Sequence, residues 1–252
     1  MNKINDLLAE YNCKIDDKLV AEKVSKLLHE KLQENKNIDV YKTCFSCIDL
    51  TSLNSTDTIE GIQNMMVKVN SFKANYPDMP QVGAVCVYPS MVEHTKKTLT
   101  EKIGIASVSA GFPSSQTFIE VKVAETAMCI LEGATEIDIV ISIGKFFSKD
   151  YETVAEEISE LKAACRDAHL KVILETGALR SAEEIKTASI IAMEAGADFI
   201  KTSTGKMEPA ATLEAAYIMC ESIKEFYEKS GKKIGFKPAG GIVSTEDACK
   251  YY

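Results

Sequence analysis

The sequence predicts an α/β fold built on a parallel sheet. Short apolar runs alternate with longer amphipathic stretches from about residue 39 onward. Strands that alternate with helices form βαβ units, and their right-handed crossovers produce either an open sheet or a barrel. Seven such units precede Tyr252, whereas a (β/α)₈ barrel has eight and takes roughly 250 residues. The residues alone therefore leave two alternatives, an open seven-stranded sheet or a barrel that lacks its eighth βα unit.

Each predicted element follows from its periodicity and its boundary residues. The predicted strands, rich in apolar and β-branched residues, are 43–49, 82–88, 103–109, 136–141, 171–175, 198–202 and 233–237. The predicted helices are 57–75, 91–101, 117–132, 151–168, 182–195, 211–229 and 245–252. Cap signals support two of these helices, namely Ser181 three residues before Glu184 and Thr245 before Glu246.

Residues 1–38 are predicted to form a helical extension before a barrel domain of residues 39–252. In this polar stretch, apolar residues at helical spacing are expected to share one face: Val20, Val24, Leu27, Leu28 and Leu32. The first residues lack the apolar segment of a signal peptide, and no run approaches membrane-spanning length. The sequence therefore predicts a cytosolic protein that is not held in a membrane.

The amino-acid composition limits the kinds of molecule that the protein is expected to bind. The 252 residues are 46% hydrophobic and carry a formal net charge of −8, which argues against nucleic acid or anionic membranes as general partners. The eight cysteines are scattered, and only Cys44 and Cys47 form a C-x-x-C pair. This usage indicates reduced thiols rather than a disulfide framework. No pair of the three histidines has metal-ligand spacing, so no metal site is predicted.

Lys201 and Lys237 lie where lysine is rare. Each interrupts or ends a short apolar run typical of a buried strand, and lysine is almost never fully buried unless it is paired. Both are predicted at the carboxyl ends of strands, where parallel α/β folds bind ligands. If the two strands are neighbours, the like charges lower the pKa of one lysine and yield an amine that attacks carbonyls. The alternative is that each ammonium simply reaches solvent from a strand end, but two such lysines favour function.

Asp138 is the third candidate, because apolar residues flank it within Glu136-Ile-Asp-Ile-Val-Ile141. A buried aspartate needs a partner across the sheet, and a lysine would suit. A carboxylate beside an imine could also relay protons. The alternative is a buried salt bridge without a catalytic part.

Two turns that contain glycine follow the lysines directly. One holds Thr204, Gly205 and Lys206, and the other holds Gly240 and Gly241. Glycine lets backbone N–H groups approach an anion, so these turns are candidates for binding phosphate. Taken alone, either turn is also consistent with a plain chain reversal.

Three further side chains are predicted at strand ends. Asp49 is expected to bond a substrate hydroxyl, organise the lysine network or cap the following loop. Cys86, in Ala-Val-Cys-Val-Tyr, is more consistent with a small core residue than with a nucleophile. Glu175 is expected to pair with Lys171 or with a substrate group.

The order of these motifs resembles one enzyme family. The stretches that carry the resemblance are Asp49-Leu-Thr-Ser-Leu53, Val85-Cys-Val-Tyr-Pro89, Ile105–Pro113, Glu136-Ile-Asp-Ile-Val140, Val172-Ile-Leu-Glu-Thr-Gly177, Ala197–Lys206 and Gly235-Phe-Lys-Pro-Ala-Gly-Gly241. They resemble deoxyribose-phosphate aldolases, which are class I Schiff-base aldolases with a TIM (β/α)₈ barrel. The resemblance implies reversible cleavage of 2-deoxy-D-ribose 5-phosphate to acetaldehyde and D-glyceraldehyde 3-phosphate, in deoxyribonucleoside catabolism.

The resemblance also implies a role for each candidate. Lys201 would form the Schiff base, Lys237 would lower its pKa, and Asp138 would relay protons. Asp49 would belong to the lysine network, Cys86 would line the substrate channel, and the two glycine turns would bind phosphate. Members of the family need no metal or organic cofactor, and they are often homodimers in the cytosol.

The sequence departs from the family pattern at its end. Family members continue into an eighth strand and a Gly-x-Ser turn that completes the phosphate site, whereas this sequence reaches Tyr252 within the seventh helix. The expectation is therefore a TIM barrel that lacks its eighth βα unit. Two alternatives to the aldolase follow: a catalytically impaired protein that binds sugar phosphates, and a Schiff-base lyase for unphosphorylated aldehydes.

Overall fold

Seven parallel strands lie side by side in chain order in the computed structural model, which describes residues 3–252. The strands are β1 (Asp49–Thr51), β2 (Ala84–Val87), β3 (Gly104–Val108), β4 (Glu136–Val140), β5 (His169–Ile173), β6 (Phe199–Lys201) and β7 (Gly235–Lys237). A doubly wound sheet reverses its strand order, whereas this order never reverses. The prediction of a TIM-barrel-like α/β fold with seven strands is therefore confirmed. Within the described residues, β1 pairs only with β2 and β7 only with β6.

Helices cover the outside of the sheet. They are α1 (Lys3–Ala9), α2 (Asp17–Lys31), α3 (Ile38–Ser46), α4 (Ile59–Asn75), α5 (Val92–Thr98), α6 (Ile119–Glu132), α7 (Ile143–Phe147), α8 (Tyr151–Cys165), α9 (Ala182–Glu194), α10 (Leu213–Ser230) and α11 (Thr245–Tyr251). The seven helices predicted after residue 57 correspond to α4–α6 and α8–α11. None of the helices in residues 3–252 combines the length and the apolar character needed to cross a bilayer.

The strand predicted at 43–49 is wrong, because most of this segment belongs to α3. The side chain of Asn37 starts the helix by accepting hydrogen bonds from the N–H groups of Asp39 and Val40, both at 3.0 Å. Such a cap accepts hydrogen bonds from backbone N–H groups that have no partner at the start of a helix. Its stabilisation of the helix outweighs the strand-like pattern of residues in the segment that follows. Cys47 ends the helix, so β1 begins only at Asp49.

Of the two predicted caps, one is confirmed and one shifts by a residue. Ser181 Oγ accepts from the N–H of Glu184 at 3.2 Å. At α11 the cap is Ser244, whose Oγ accepts from the Asp247 N–H at 3.1 Å. Thr245 is instead the first residue of the helix. Each such cap contributes about 1 kcal/mol.

The first two helices pack outside α8, α9 and α10. Val20 and Val24 are buried as predicted, but Leu27 is 46% exposed, so the apolar face is narrower than expected. Hydrogen bonds fasten this segment, among them those from Tyr11 Oη to Glu194 at 2.8 Å and from the Ala182 N–H to Asp17 at 2.9 Å. The division into domains at residue 38 stays a prediction.

Strand β4 shows how the sheet separates an apolar face from a charged one. Ile137 and Ile139 belong to the main apolar core between sheet and helices. Side chains alternate along a strand, so Asp138 faces the opposite side, the lumen of the curved sheet. Asp138 is completely buried there. The fold therefore encloses ionised side chains inside an apolar shell.

Gly235 at the start of β7 leaves room for an aromatic ring. A Cβ added at this position would lie 2.1 Å from Cδ1 and Cε1 of Phe199. We expect Gly235→Ala to destabilise the protein by about 1–3 kcal/mol, because the half-buried ring of Phe199 must shift away from the added methyl group. Urea unfolding measures the change. Gly144→Ala is the matched control, since an added Cβ there meets nothing within 4 Å; equal stability of the two variants would contradict the prediction.

Candidate active site

The two lysines singled out from the sequence are direct neighbours. Lys201 ends β6, Lys237 ends β7, and the two residues are register partners in the parallel pair. The prediction that strands 6 and 7 are adjacent is therefore confirmed. The lysines nevertheless point their ammonium groups at different carboxylates. Lys201 Nζ lies 2.5 Å from Asp138 Oδ2, and Lys237 Nζ lies 2.7 Å from Asp49 Oδ1.

A third lysine, Lys171 on β5, joins these two pairs into one network. Its Nζ lies 3.1 Å from Asp138 Oδ1 and 2.9 Å from Asp49 Oδ2. It also contacts Glu136 Oε2 at 2.6 Å. The network thus runs without a break from Lys201 to Lys237. Asp138 has lysine partners, as predicted, but they lie on the next two strands, β5 and β6, rather than across the lumen. Asp49 is a member of the same network.

Sequence reasoning missed Lys171 and Glu136 as members of the site. Lys171 precedes the apolar run Val-Ile-Leu, so it has the same unusual setting as Lys201. It is 2% exposed, and a lysine that is almost fully buried requires a carboxylate partner. The apolar neighbours of Lys171 were therefore a sign, visible in the sequence, that this lysine is buried and paired. The expectation that Lys171 pairs with Glu175 is wrong, because Lys171 contacts the carboxylates of β1 and β4 instead.

At Asp138 and Lys201 the opposite charges of the network outweigh the effect of burial. Burial raises the pKa of Asp138, but the ammonium groups of Lys201 and Lys171 outweigh it and lower the pKa to about 2. Burial lowers the pKa of Lys201, but the Asp138 carboxylate outweighs it, so this pKa lies above its ordinary value. The like charge of Lys171 also lowers this pKa, but the net shift is opposite in direction to the lowered pKa predicted from the sequence. The opposite charge at 2.5 Å has the larger effect.

Lys237 is anchored twice at the edge of β1. Besides Asp49, its ammonium donates a hydrogen bond to the backbone carbonyl of Cys47 at 2.7 Å. Asp49 in turn has its pKa lowered, because Lys171 and Lys237 outweigh the effect of burial. The side chain of Lys237 therefore bridges the first and the last strands of the sheet.

Cys86 and Glu175 are both buried next to this network. Cys86 is fully buried with Leu53, Ala106 and Val108, and burial raises its pKa to about 12. A thiol with so high a pKa is a poor nucleophile, in agreement with its interpretation as a core residue. Glu175 adopts a positive φ of 53°. Its carboxylate accepts hydrogen bonds from Thr204, at 3.1 Å from the N–H and 2.5 Å from Oγ1.

The two glycine turns lie against each other at the ends of β6 and β7. A Cβ added to Gly240 would lie 3.6 Å from the Cα of Gly205. Gly205, Gly240 and Gly241 all have positive φ, between 74° and 84°, a conformation that favours glycine. Lys206 donates its ammonium to the Leu53 carbonyl. The turns predicted to bind an anion are therefore neighbours in space.

A cavity of about 390 Å³ opens beside the lysines. It lies between the edges of β1 and β7, and Asp49, Lys201 and Lys237 line it together with Gly240 and Tyr251. This volume suits a small ligand. In residues 3–252 no group of three or more His, Cys, Asp or Glu side chains is arranged to hold a metal ion. The charged side chains that line the cavity are Asp49, Lys201 and Lys237.

The fold and the site together define an α/β enzyme with ionised residues at the carboxyl ends of its parallel strands. The family description "DeoC/LacD family aldolase" matches residues 43–250. The chain belongs to this aldolase family.

Relatives and solved structures agree with this assignment. The deoxyribose-phosphate aldolase of Homo sapiens is 43% identical over 217 residues, which are 80% of this chain and 67% of the human protein. A solved aldolase named QR15 superposes with a TM-score of 0.73 at 33% identity, covering 85% of this chain and 87% of its own. The deoxyribose phosphate aldolase from Aeropyrum pernix, described as tetrameric, has a TM-score of 0.72 at 25% identity and 87% coverage of both chains.

Proposed function

We propose that the protein is a deoxyribose-phosphate aldolase that cleaves 2-deoxy-D-ribose 5-phosphate through a Schiff base on Lys201. The observation that carries this proposal is the buried Lys201–Asp138 pair beside a cavity at the ends of the strands. Lysine is the side chain that forms imines with carbonyl compounds. The family assignment and the 43% identity to the human aldolase support the same substrate.

In the proposed mechanism, Asp138 relays the proton of Lys201 to solvent, and the small fraction of neutral amine that results attacks the C1 aldehyde of the open-chain sugar. The resulting carbinolamine loses water to give an iminium ion. Electrons of the C2–C3 bond then move toward the iminium nitrogen as the 3-hydroxyl loses its proton, which releases D-glyceraldehyde 3-phosphate. The enamine is protonated at C2, and water hydrolyses the remaining iminium to free acetaldehyde and Lys201. Each proton transfer by a positioned carboxylate typically contributes about 10²–10⁴-fold.

The substrate phosphate is proposed to bind at the two glycine turns. There is open space beside both turns, because a Cβ added to Gly205 or Gly241 would meet nothing within 4 Å. Backbone N–H groups in such turns bind anions. Thr204 is proposed to shape the turn, because its hydroxyl already bonds Glu175. Lys206 would supply positive charge, and Cys86 would form part of the apolar wall.

A cleavage assay tests the proposed function against its alternatives. Release of D-glyceraldehyde 3-phosphate is followed with a coupled dehydrogenase, and binding of the same sugar phosphate is measured by calorimetry. We expect turnover with 2-deoxy-D-ribose 5-phosphate and much slower turnover with 2-deoxy-D-ribose. Binding without turnover would instead support an impaired sugar-phosphate-binding protein. Equal rates for both sugars would support a lyase for unphosphorylated aldehydes.

Assembly and location remain part of the proposal. We propose a homodimer in the cytosol with small aldehydes and sugar phosphates as partners, without nucleic acid or membrane. Light scattering of the purified chain distinguishes a dimer from a monomer or from a tetramer like that described for the Aeropyrum pernix enzyme. Fractionation of cells checks the location.

Replacing Asp138 by Asn is expected to move imine formation at Lys201 to lower pH. Burial lowers the pKa of Lys201, whereas the Asp138 carboxylate raises it. Without that carboxylate the effect of burial dominates, so the pKa of Lys201 should fall. Acetaldehyde adducts are trapped with cyanoborohydride across a pH series, and the adduct on Lys201 is quantified by mass spectrometry. If the pH midpoint of adduct formation in the variant is equal to or higher than that of the wild type, Asp138 does not raise the pKa of Lys201.

A further inference from the structure

Two thiols lie at the edge of the cavity that contains the lysines. Cys44 is in the last turn of α3, and Cys47 ends this helix. Both line the cavity together with Lys201 and Lys237, and both are free thiols. Residues three apart on a helix share a face, with Cβ atoms about 5–6 Å apart. A disulfide requires about 3.5–4.5 Å, so a small backbone adjustment brings this pair into bonding range.

The backbone of Cys47 connects these thiols to the lysine network. Its carbonyl accepts the hydrogen bond from Lys237 Nζ at 2.7 Å. The next residue is held in place, because the Ile48 carbonyl accepts from the Gly83 N–H at 2.9 Å. A disulfide that changes the backbone conformation of Cys47 would therefore act on the carbonyl that accepts from Lys237.

We propose that Cys44 and Cys47 form a reversible redox site that reacts with low-molecular-weight disulfides, and that its oxidation loosens the anchoring of Lys237. The Cys47 thiolate attacks one sulfur of a disulfide RSSR, forms a mixed disulfide and releases RS⁻, which takes up a proton. The Cys44 thiol then loses its proton and attacks the Cys47 sulfur, forming the Cys44–Cys47 bond and releasing a second RSH. Two protein thiols and RSSR thus become one protein disulfide and two RSH.

The solvent exposure of the two thiols determines which of them reacts first. Cys47 is exposed, whereas Cys44 is half-buried. Burial also raises the pKa of Cys44, so its thiolate is scarce in the reduced protein. The exposed Cys47 therefore meets the oxidant first. Cys249 on the adjacent helix α11 is 1% exposed and cannot be the first thiol to react.

Oxidised glutathione and the full chain test this site. The treated protein is digested and its disulfides are mapped by mass spectrometry, and kcat for sugar-phosphate cleavage is measured before and after reduction with dithiothreitol. We expect a Cys44–Cys47 bridge and a kcat about five- to tenfold lower, restored by reduction, because a hydrogen bond from a charged donor is lost. Cys44→Ser should lose the sensitivity, so that its kcat is the same before and after treatment with oxidised glutathione. Cys220→Ser, which removes another exposed cysteine, should stay sensitive.

Two results would overturn the inference: the absence of a Cys44–Cys47 bridge, or a bridge that leaves kcat unchanged. The effect on kcat rests on the proposed aldolase function. If the reduced protein already fails to cleave the substrate, the proposed function is wrong, and the disulfide map decides the redox site by itself. The two failures are therefore distinguishable.

Discussion

Lys201→Leu is expected to abolish the covalent adduct with acetaldehyde and to lower kcat/KM by at least about 10⁴-fold, because no other group in the mechanism forms the imine. The substitution also leaves Asp138 without its nearest cation, at 2.5 Å. Activity and adduct formation are measured together, the latter by borohydride reduction and mass spectrometry of the labelled peptide.

Lys201→Arg separates loss of the nucleophile from loss of charge. The guanidinium keeps a cation beside Asp138, but it stays protonated and does not attack carbonyls. We therefore expect this variant to be as inactive as Lys201→Leu while unfolding at a temperature closer to that of the wild type. An acetaldehyde adduct on another lysine, at wild-type yield in either variant, would contradict the assignment of Lys201.

Asp138→Asn has the second largest expected effect, a fall in kcat of about 10²–10⁴-fold, because the amide cannot take or return the protons of imine formation. The carboxylate is fully buried between Lys201 and Lys171. Removing one partner of a buried pair costs about 3–5 kcal/mol. Steady-state kinetics and urea unfolding of the same preparation report the two effects separately.

Asp198→Asn is the matched control for this variant. Asp198 pairs with Lys162 at 2.6 Å, and it lies outside the lumen network. Its substitution should lower stability while kcat stays within about threefold of the wild type. Equal losses of kcat in both variants would mean that Asp138 acts only through stability.

Strand order and the lysine pair could be predicted from the sequence because both follow from local patterns. Alternation of apolar runs and amphipathic stretches defined the βα units, and the position of a lysine at each strand end placed Lys201 and Lys237 on one rim. The direction of the Lys201 pKa shift could not be predicted. It depends on the distance to Asp138, which lies 63 residues away in the sequence.

The errors have equally specific causes. A segment of β-branched and aromatic residues was predicted as a strand, but the cap at Asn37 makes it part of α3. Lys171 was overlooked because its partners Asp49 and Glu136 come from other strands. Such contacts depend on the register and the curvature of the sheet. The residue pattern of a single strand or helix specifies neither of these.

The lumen network also determines how charge changes during the reaction. Its members are three ammonium groups and three carboxylates, namely Lys171, Lys201, Lys237, Asp49, Glu136 and Asp138. The resting lumen is therefore formally neutral. The proposed iminium on Lys201 carries the same single positive charge as the ammonium it replaces. The aldehyde carbon that attaches to Lys201 brings no charge, because the charge of the substrate lies on its phosphate, which is proposed to bind at the glycine turns. Covalent attachment thus leaves the lumen neutral, and the surrounding ion pairs persist while only protons and a water molecule change place.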